Sequence, residues 1–79
     1  YGVALEYRKT DQARAIAYLD RVIEVDPGYC YAYYQKGQAL EAQGEIEAAK
    51  QAYRDGIAAA RRVGDAKAEG ELRGALDLL

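Results

Sequence analysis

Three kinds of side chain in this sequence have the chemistry for reactivity, and each lacks the companions a reaction needs. Glu6 and Glu41 occupy matching places in two similar stretches and could form an acid/base or cation-binding pair. No third ligand accompanies them, so two solvated acids lining a groove are the simpler expectation. Cys30 is the sole thiol, and a nucleophilic thiol needs a base or cation to hold it as thiolate. The chain has no His and no second Cys, so Cys30 reads as a small, half-buried residue in the first turn of a helix. The lack of His also removes every His-dependent triad and zinc site. Neither glycine-rich phosphate-binding pattern occurs. No catalytic, cofactor-binding or metal-binding residue is therefore expected, and the chain is not read as an enzyme.

Two further patterns have structural readings. Gly70 and Gly74 are spaced as in membrane helix dimers, but Glu69, Glu71 and Arg73 surround them where such a motif needs an apolar background. Lys50, Arg54, Arg61 and Arg62 make one stretch locally basic, which fits a solvated helix face better than a phosphate contact. The tyrosines say more. All eight aromatic residues are Tyr, so every ring carries a hydroxyl and combines apolar area with a polar tip.

These side chains have to be positioned by helices. Ala15, Leu19, Val22 and Ile23 fall on one helical stripe, with Thr10 and Asp11 as capping residues ahead of it. A turn is expected around Arg8–Thr10, with Tyr1–Arg8 a helix remnant before it. Asp26 and Pro27 suit the start of the next helix, predicted over about 27–43 and stopped by Gly44. From about Glu45 a further helix carries Ile46, Ala49, Tyr53, Gly56, Ile57 and Ala60 on one face. It is acidic at its start and basic at Arg61 and Arg62, matching the helix dipole. Gly64 and Asp65 break it, and Ala68, Leu72, Ala75, Leu76 and Leu79 mark a terminal amphipathic helix. No stretch alternates with the period of a strand.

The chain has 79 residues, 51% hydrophobic and 30% charged, with a net charge of −2. That length supports one small domain with a thin stability margin. Its weak acidity argues against nucleic acid as a partner, since that needs a basic face. No apolar run approaches the ~20 residues of a membrane span, and no signal peptide is visible. A cytoplasmic location is the resulting expectation. The chain starts at Tyr1 rather than Met and reads as a piece of something longer.

An internal repeat organises these helices. Gly2, Val3, Ala4, Leu5 and Glu6 recur as Gly37, Gln38, Ala39, Leu40 and Glu41, four of five matching at an offset of 35. Ala15, Leu19 and Ile23 meet Ala49, Tyr53 and Ile57 at an offset of 34. Such a period is the mark of a helical-hairpin repeat, and the residues resemble the tetratricopeptide repeat (TPR) family over nearly the whole chain. Tyr33 matches the family's aromatic early in helix A, Gly37 the small residue where two helices cross, and Leu40 the next large position. Ala49 and Tyr53 match the small residue and the following aromatic of helix B. The first copy supplies Gly2, Leu5, Ala15, Leu19 and the closing Asp26 and Pro27. Two positions depart from the pattern: Lys36 stands where the family usually has Leu, and Gly56 where it usually has Ala.

The resemblance implies an all-α solenoid of about two antiparallel helix hairpins plus a C-terminal capping helix. Residues 1–26 would be a first repeat truncated at its N-terminal helix, 27–64 a second repeat, and 65–79 the cap. Tyr33, Tyr53 and Tyr18 would then belong to the core. A second stripe, Tyr31, Tyr34, Gln38 and Glu41, would line the concave groove where members of the family hold peptides or helices. Glu6 and Tyr7 would extend it on one side, and Ala68, Leu72 and Ala75 on the other. Members that clamp a peptide carboxylate use Lys, Arg and Asn on this stripe, and here those positions are Tyr, Tyr and Gln. The expected function is a non-catalytic protein-interaction scaffold whose partner is neutral to basic with apolar anchors. Self-association through the incomplete N-terminal repeat, exposing Val3 and Leu5, is the alternative. RNA binding by a helical repeat and an enzyme fragment are the remaining ones.

Overall fold

The computed structural model describes residues 2–79, with side chains from Ala13 onward. Four helices follow one another: α1 (Gly2–Val25), α2 (Cys30–Ala42), α3 (Ile46–Val63) and α4 (Ala66–Asp77). The described residues contain no strand. Helix α1 packs on α2, α2 on α3, α3 on α4, and the edge of α2 also meets α4. The resulting slab measures 45 × 28 × 17 Å.

The turn expected around Arg8–Thr10 does not form, because α1 runs unbroken from Gly2 to Val25. The reason lies at one position. In the second copy the chain reverses at Gly44, whose φ of 80° is left-handed; 34 residues earlier stands Thr10. A β-branched residue resists that conformation, while Thr and Asp inside a helix cost only a few tenths of a kcal/mol. Residues 2–6 therefore continue in line with 15–23 and do not fold back across them. Ala15, read as a packing residue, is accordingly exposed, whereas Leu19 is buried against α2. Tyr18, assigned to the core, is 68% exposed because it lies on the side of α1 away from α2. The packing roles read for Gly2 and Leu5 rest on side chains outside the described ones.

Helix α2 starts at Cys30, three residues later than expected, because Asp26–Tyr29 is a hydrogen-bonded turn. The Tyr29 amide donates to the Asp26 carbonyl at 3.0 Å, and the Gly28 amide donates to Asp26 Oδ1 at 3.3 Å. Pro27 thus sits in the turn, with its preset φ suiting the second turn position, and its carbonyl accepts from the Tyr33 hydroxyl at 3.2 Å.

Two glycines close helices by the same device. After α2, Glu45 N–H donates to Leu40 C=O and Gly44 N–H to Glu41 C=O, both at 2.9 Å. After α3, Asp65 N–H donates to Ala60 C=O at 2.9 Å, with Gly64 at φ 75°. Both are Schellman closures, which satisfy the last carbonyls of a helix. Asp65 then acts a second time. Its Oδ1 accepts from Ala68 N–H at 3.0 Å and caps α4. Asp65→Ala should cost about 1 kcal/mol, the usual value of an N-cap. Urea titration would read this, and an unchanged midpoint would refute the cap's contribution.

The core is made of small residues and a few large ones. Ala32, Ala49, Ala59, Ala60 and Tyr53 are fully buried, and Leu72 is 1% exposed. Helix α3 lies between α2 and α4, so Ala52 and Ala59 are buried beside the expected stripe of Ala49, Tyr53, Gly56, Ile57 and Ala60. Ile46, at the first turn, is partly exposed. Lys36 keeps its place by pairing: its Nζ lies 2.6 Å from Asp20 Oδ1 of α1, both groups being partly solvated. An amine at a position suited to Leu thus becomes a tie between neighbouring helices.

Candidate binding groove

The residues with recognition chemistry gather where α2 faces α4. On α2, Tyr31, Tyr34, Gln38 and Glu41 recur at three to four residues and share one stripe. The core stripe of Tyr33, Gly37 and Leu40 lies beside it, which leaves Tyr34 half-buried while Tyr31 is 53% exposed. On α4, Ala68, Glu71, Ala75 and Leu78 make the facing stripe. Two clefts open between the helices. One, of about 360 Å³, reaches from Tyr29 and Tyr31 to Asp65, Lys67 and Glu71. The other, of about 670 Å³, runs past Tyr34, Gln38 and Glu41 to Ala75 and Leu78. Tyr31, Tyr34 and Glu71 border both, so the two form one trough.

The rings are ordered against one another. Tyr31 stacks on Tyr34 with centroids 6.1 Å apart and planes 16° from parallel. Tyr34 in turn leans on Tyr53 at 6.1 Å and 56°. Tyr53 itself belongs to the core, yet its hydroxyl reaches the trough and donates to Glu41 Oε2. Burial pushes the Tyr53 phenol well above its ordinary value, and the hydrogen bond and charge of Glu41 add to that. Glu41 is therefore anchored from beneath, where solvated freedom was expected. Cys30 is buried, its Sγ 3.3 Å from the Gly28 carbonyl. Burial, then the charge of Asp65, raises its thiol pKa, which disfavours the thiolate a nucleophile needs.

Of the expected groove residues, Tyr31, Tyr34, Gln38 and Glu41 come together in this trough. Glu6 and Tyr7 have side chains outside the described ones. Leu72, expected in the groove, borders the first cleft as its almost fully buried floor, against the bare backbone of Gly56. On α4 the expected Ala68 and Ala75 line the trough together with Glu71 and Leu78, neither of which was singled out. Their spacing with Ala75 (i, i+4, i+7) was the available signal, hidden by the stronger Leu72 stripe beside it.

Of the remaining candidates Gly74 alone borders the trough. Arg61 and Arg73 both reach Glu69 Oε2, at 3.4 and 3.1 Å, and Lys50 pairs with Glu47 at 3.6 Å. These are exposed helix-surface pairs. A Cβ at Gly70 or Gly74 would meet open space, so neither glycine marks a helix contact. Among the described residues no helix is long and apolar enough to cross a membrane.

Residues 18–51 match a family model described as tetratricopeptide repeat. A TPR repeat-containing protein of Pseudomonas aeruginosa is 39% identical over 62 residues, which is 78% of this chain and 59% of that protein. The chain thus spans little more than half the length of this curated relative. The solution structure of a tetratricopeptide repeat domain protein from Salinibacter ruber superposes with a TM-score of 0.78 at 34% identity, covering 96% of this chain and 78% of that one. A crystal structure of a tetratricopeptide repeat domain protein from the same organism gives 0.75 at 35% identity, covering 96% and 86%.

Proposed function

The chain belongs to the tetratricopeptide repeat family, and on that premise we propose that it is a non-catalytic interaction module holding a peptide or helix between α2 and α4. Family membership brings the general role of a protein-interaction scaffold. The finer reading rests on one observation: an exposed tyrosine stacked on a half-buried one, inside a trough open to solvent. Solvent-facing rings fixed by stacking offer large apolar contact with little rotamer freedom left to lose, which is the character of interface hot spots. In this reading residues 27–64 form one repeat, 65–79 its cap, and the partner is neutral to basic with an apolar anchor. Leu78, 87% exposed at one end of the trough, is the natural seat for that anchor.

Tyr31→Ala combined with Tyr34→Ala tests this. Peptides selected from a random display library on the wild-type chain should bind the folded double variant at least about 30-fold more weakly, as for loss of a ~2 kcal/mol hot spot. Circular dichroism at unchanged helicity would establish that the variant is folded. Undiminished affinity in that folded variant would dismiss the trough as the binding surface.

A further inference from the structure

We propose, building on that trough, that its preferred occupant is a segment carrying an arginine whose guanidinium lies on the Tyr31–Tyr34 rings beside Glu71. The first observation is the distribution of charge. Glu71 borders both clefts, Glu41 lines one and Asp65 the other, against a single lining cation, Lys67. The second is that no cation among the described residues pairs with these acids. Ion pairs among the described residues join Lys36 to Asp20, Lys50 to Glu47, and Arg61 and Arg73 to Glu69. None of them engages Glu41, Asp65 or Glu71. The third is orientation: the Tyr53 hydroxyl occupies Glu41 Oε2 and holds that carboxylate in place, which leaves Oε1 for a ligand.

The rings decide between cations. Each ring face is electron-rich and attracts a cation placed over it within about 6 Å. A guanidinium is planar, weakly hydrated and able to stack on a ring while its edge donates two parallel hydrogen bonds to one carboxylate. An ammonium is compact and strongly hydrated, so it keeps less of either interaction. The same acids repel a ligand carboxylate, so C-terminal acid peptides should be rejected.

The experiment is selection of random, end-blocked dodecapeptides displayed against the immobilised chain, followed by affinity measurement on the enriched sequences. The expected result is enrichment of one Arg. Replacing that Arg by Lys should weaken binding about fivefold, and replacing it by Gln should do so by at least about tenfold. Glu71→Gln should weaken the Arg peptide about fivefold but leave its Gln analogue unchanged, since Glu71 is exposed and the change is isosteric. Enriched peptides without Arg, or an Arg peptide indifferent to Glu71→Gln, would overturn the arginine preference. If such peptides still lose affinity in the Tyr31→Ala, Tyr34→Ala variant, the trough stands and only its preference falls. Peptides that ignore both tyrosines, or a selection yielding none, would overturn the two readings together.

Discussion

Tyr53→Ala is expected to remove most of the stability of this domain, and Tyr53→Phe to remove a smaller, pH-dependent part of it. The ring is fully buried between α2 and α3, so its truncation leaves a cavity bordered by Gly37, which has no side chain to fill it. Losses for truncating a buried aromatic run about 3–5 kcal/mol. A chain of this length has in all only about 4–12 kcal/mol. The Ala variant should therefore be largely unfolded near physiological temperature, with a collapsed helical signal in circular dichroism. The Phe variant keeps the packing and loses only the bond to Glu41, a hydrogen bond to a charged group worth about 1.5–3 kcal/mol when buried. Partial solvation of Glu41 places the expected loss at the lower end. The phenol's raised pKa gives this pair a pH signature. Below about pH 10 the hydroxyl is protonated in both folded and unfolded chains. Above that, the unfolded chain ionises while the folded one holds its proton, so unfolding releases protons and stability falls as pH rises. The wild type's advantage over Tyr53→Phe should thus hold up to about pH 10 and shrink from there to about pH 11. Urea midpoints that stay equally separated across that range would dismiss the Glu41 contact as a stabilising one.

That contact also marks the border of what sequence can tell about this protein. Tyr53, Gly37, Leu40 and Ala49 could be placed in the core because a repeat period supplies an independent register for each. The hydroxyl's reach to Glu41 depends on how deep the ring sits, a property of three packed helices and of no local pattern. The same distinction explains the misplaced residues. Thr10 and Asp11 are good capping residues and also tolerable interior ones, so they do not by themselves decide between a turn and a continuous helix. Gly44 does decide, because only a left-handed residue lets the chain reverse there. Ala15 fits a packing stripe, but burial needs a neighbour, and the straight course of α1 takes that neighbour away. In α4 the periodicity reports an apolar face but not which edge of it looks toward α2. Leu72 and Glu71 are adjacent in sequence, and one is the buried floor of the trough while the other is its exposed wall.

Glycine substitutions should then separate helix propensity from packing within one molecule. In a helix interior Ala is favoured over Gly by about 1 kcal/mol, and on that ground alone Gly37→Ala, Gly56→Ala and Gly70→Ala would all stabilise. At Gly56 an added Cβ would stand 2.7 Å from Tyr33 Cβ and 2.9 Å from Leu72 Cδ2. The first of these atoms is fixed to the backbone of α2, so relief requires the helices to part. At Gly37 the added carbon would overlap the Tyr53 ring, 2.6 Å from Cζ and 2.7 Å from Cδ1. That ring has no free space and is tied through its hydroxyl to Glu41. Overpacking of this kind costs about 1–3 kcal/mol or more, and with contacts this short the larger figure should outweigh the propensity gain. Both variants should therefore melt lower than wild type, and Gly37→Ala should also disturb the trough by displacing Tyr53 from Glu41. Gly70 faces open space, so Gly70→Ala should melt higher by the few degrees that ~0.5–1 kcal/mol gives a domain of this size. Thermal unfolding of the three variants side by side reads the signs directly. A rise in melting temperature for all three would mean that α2, α3 and α4 do not approach as closely as described.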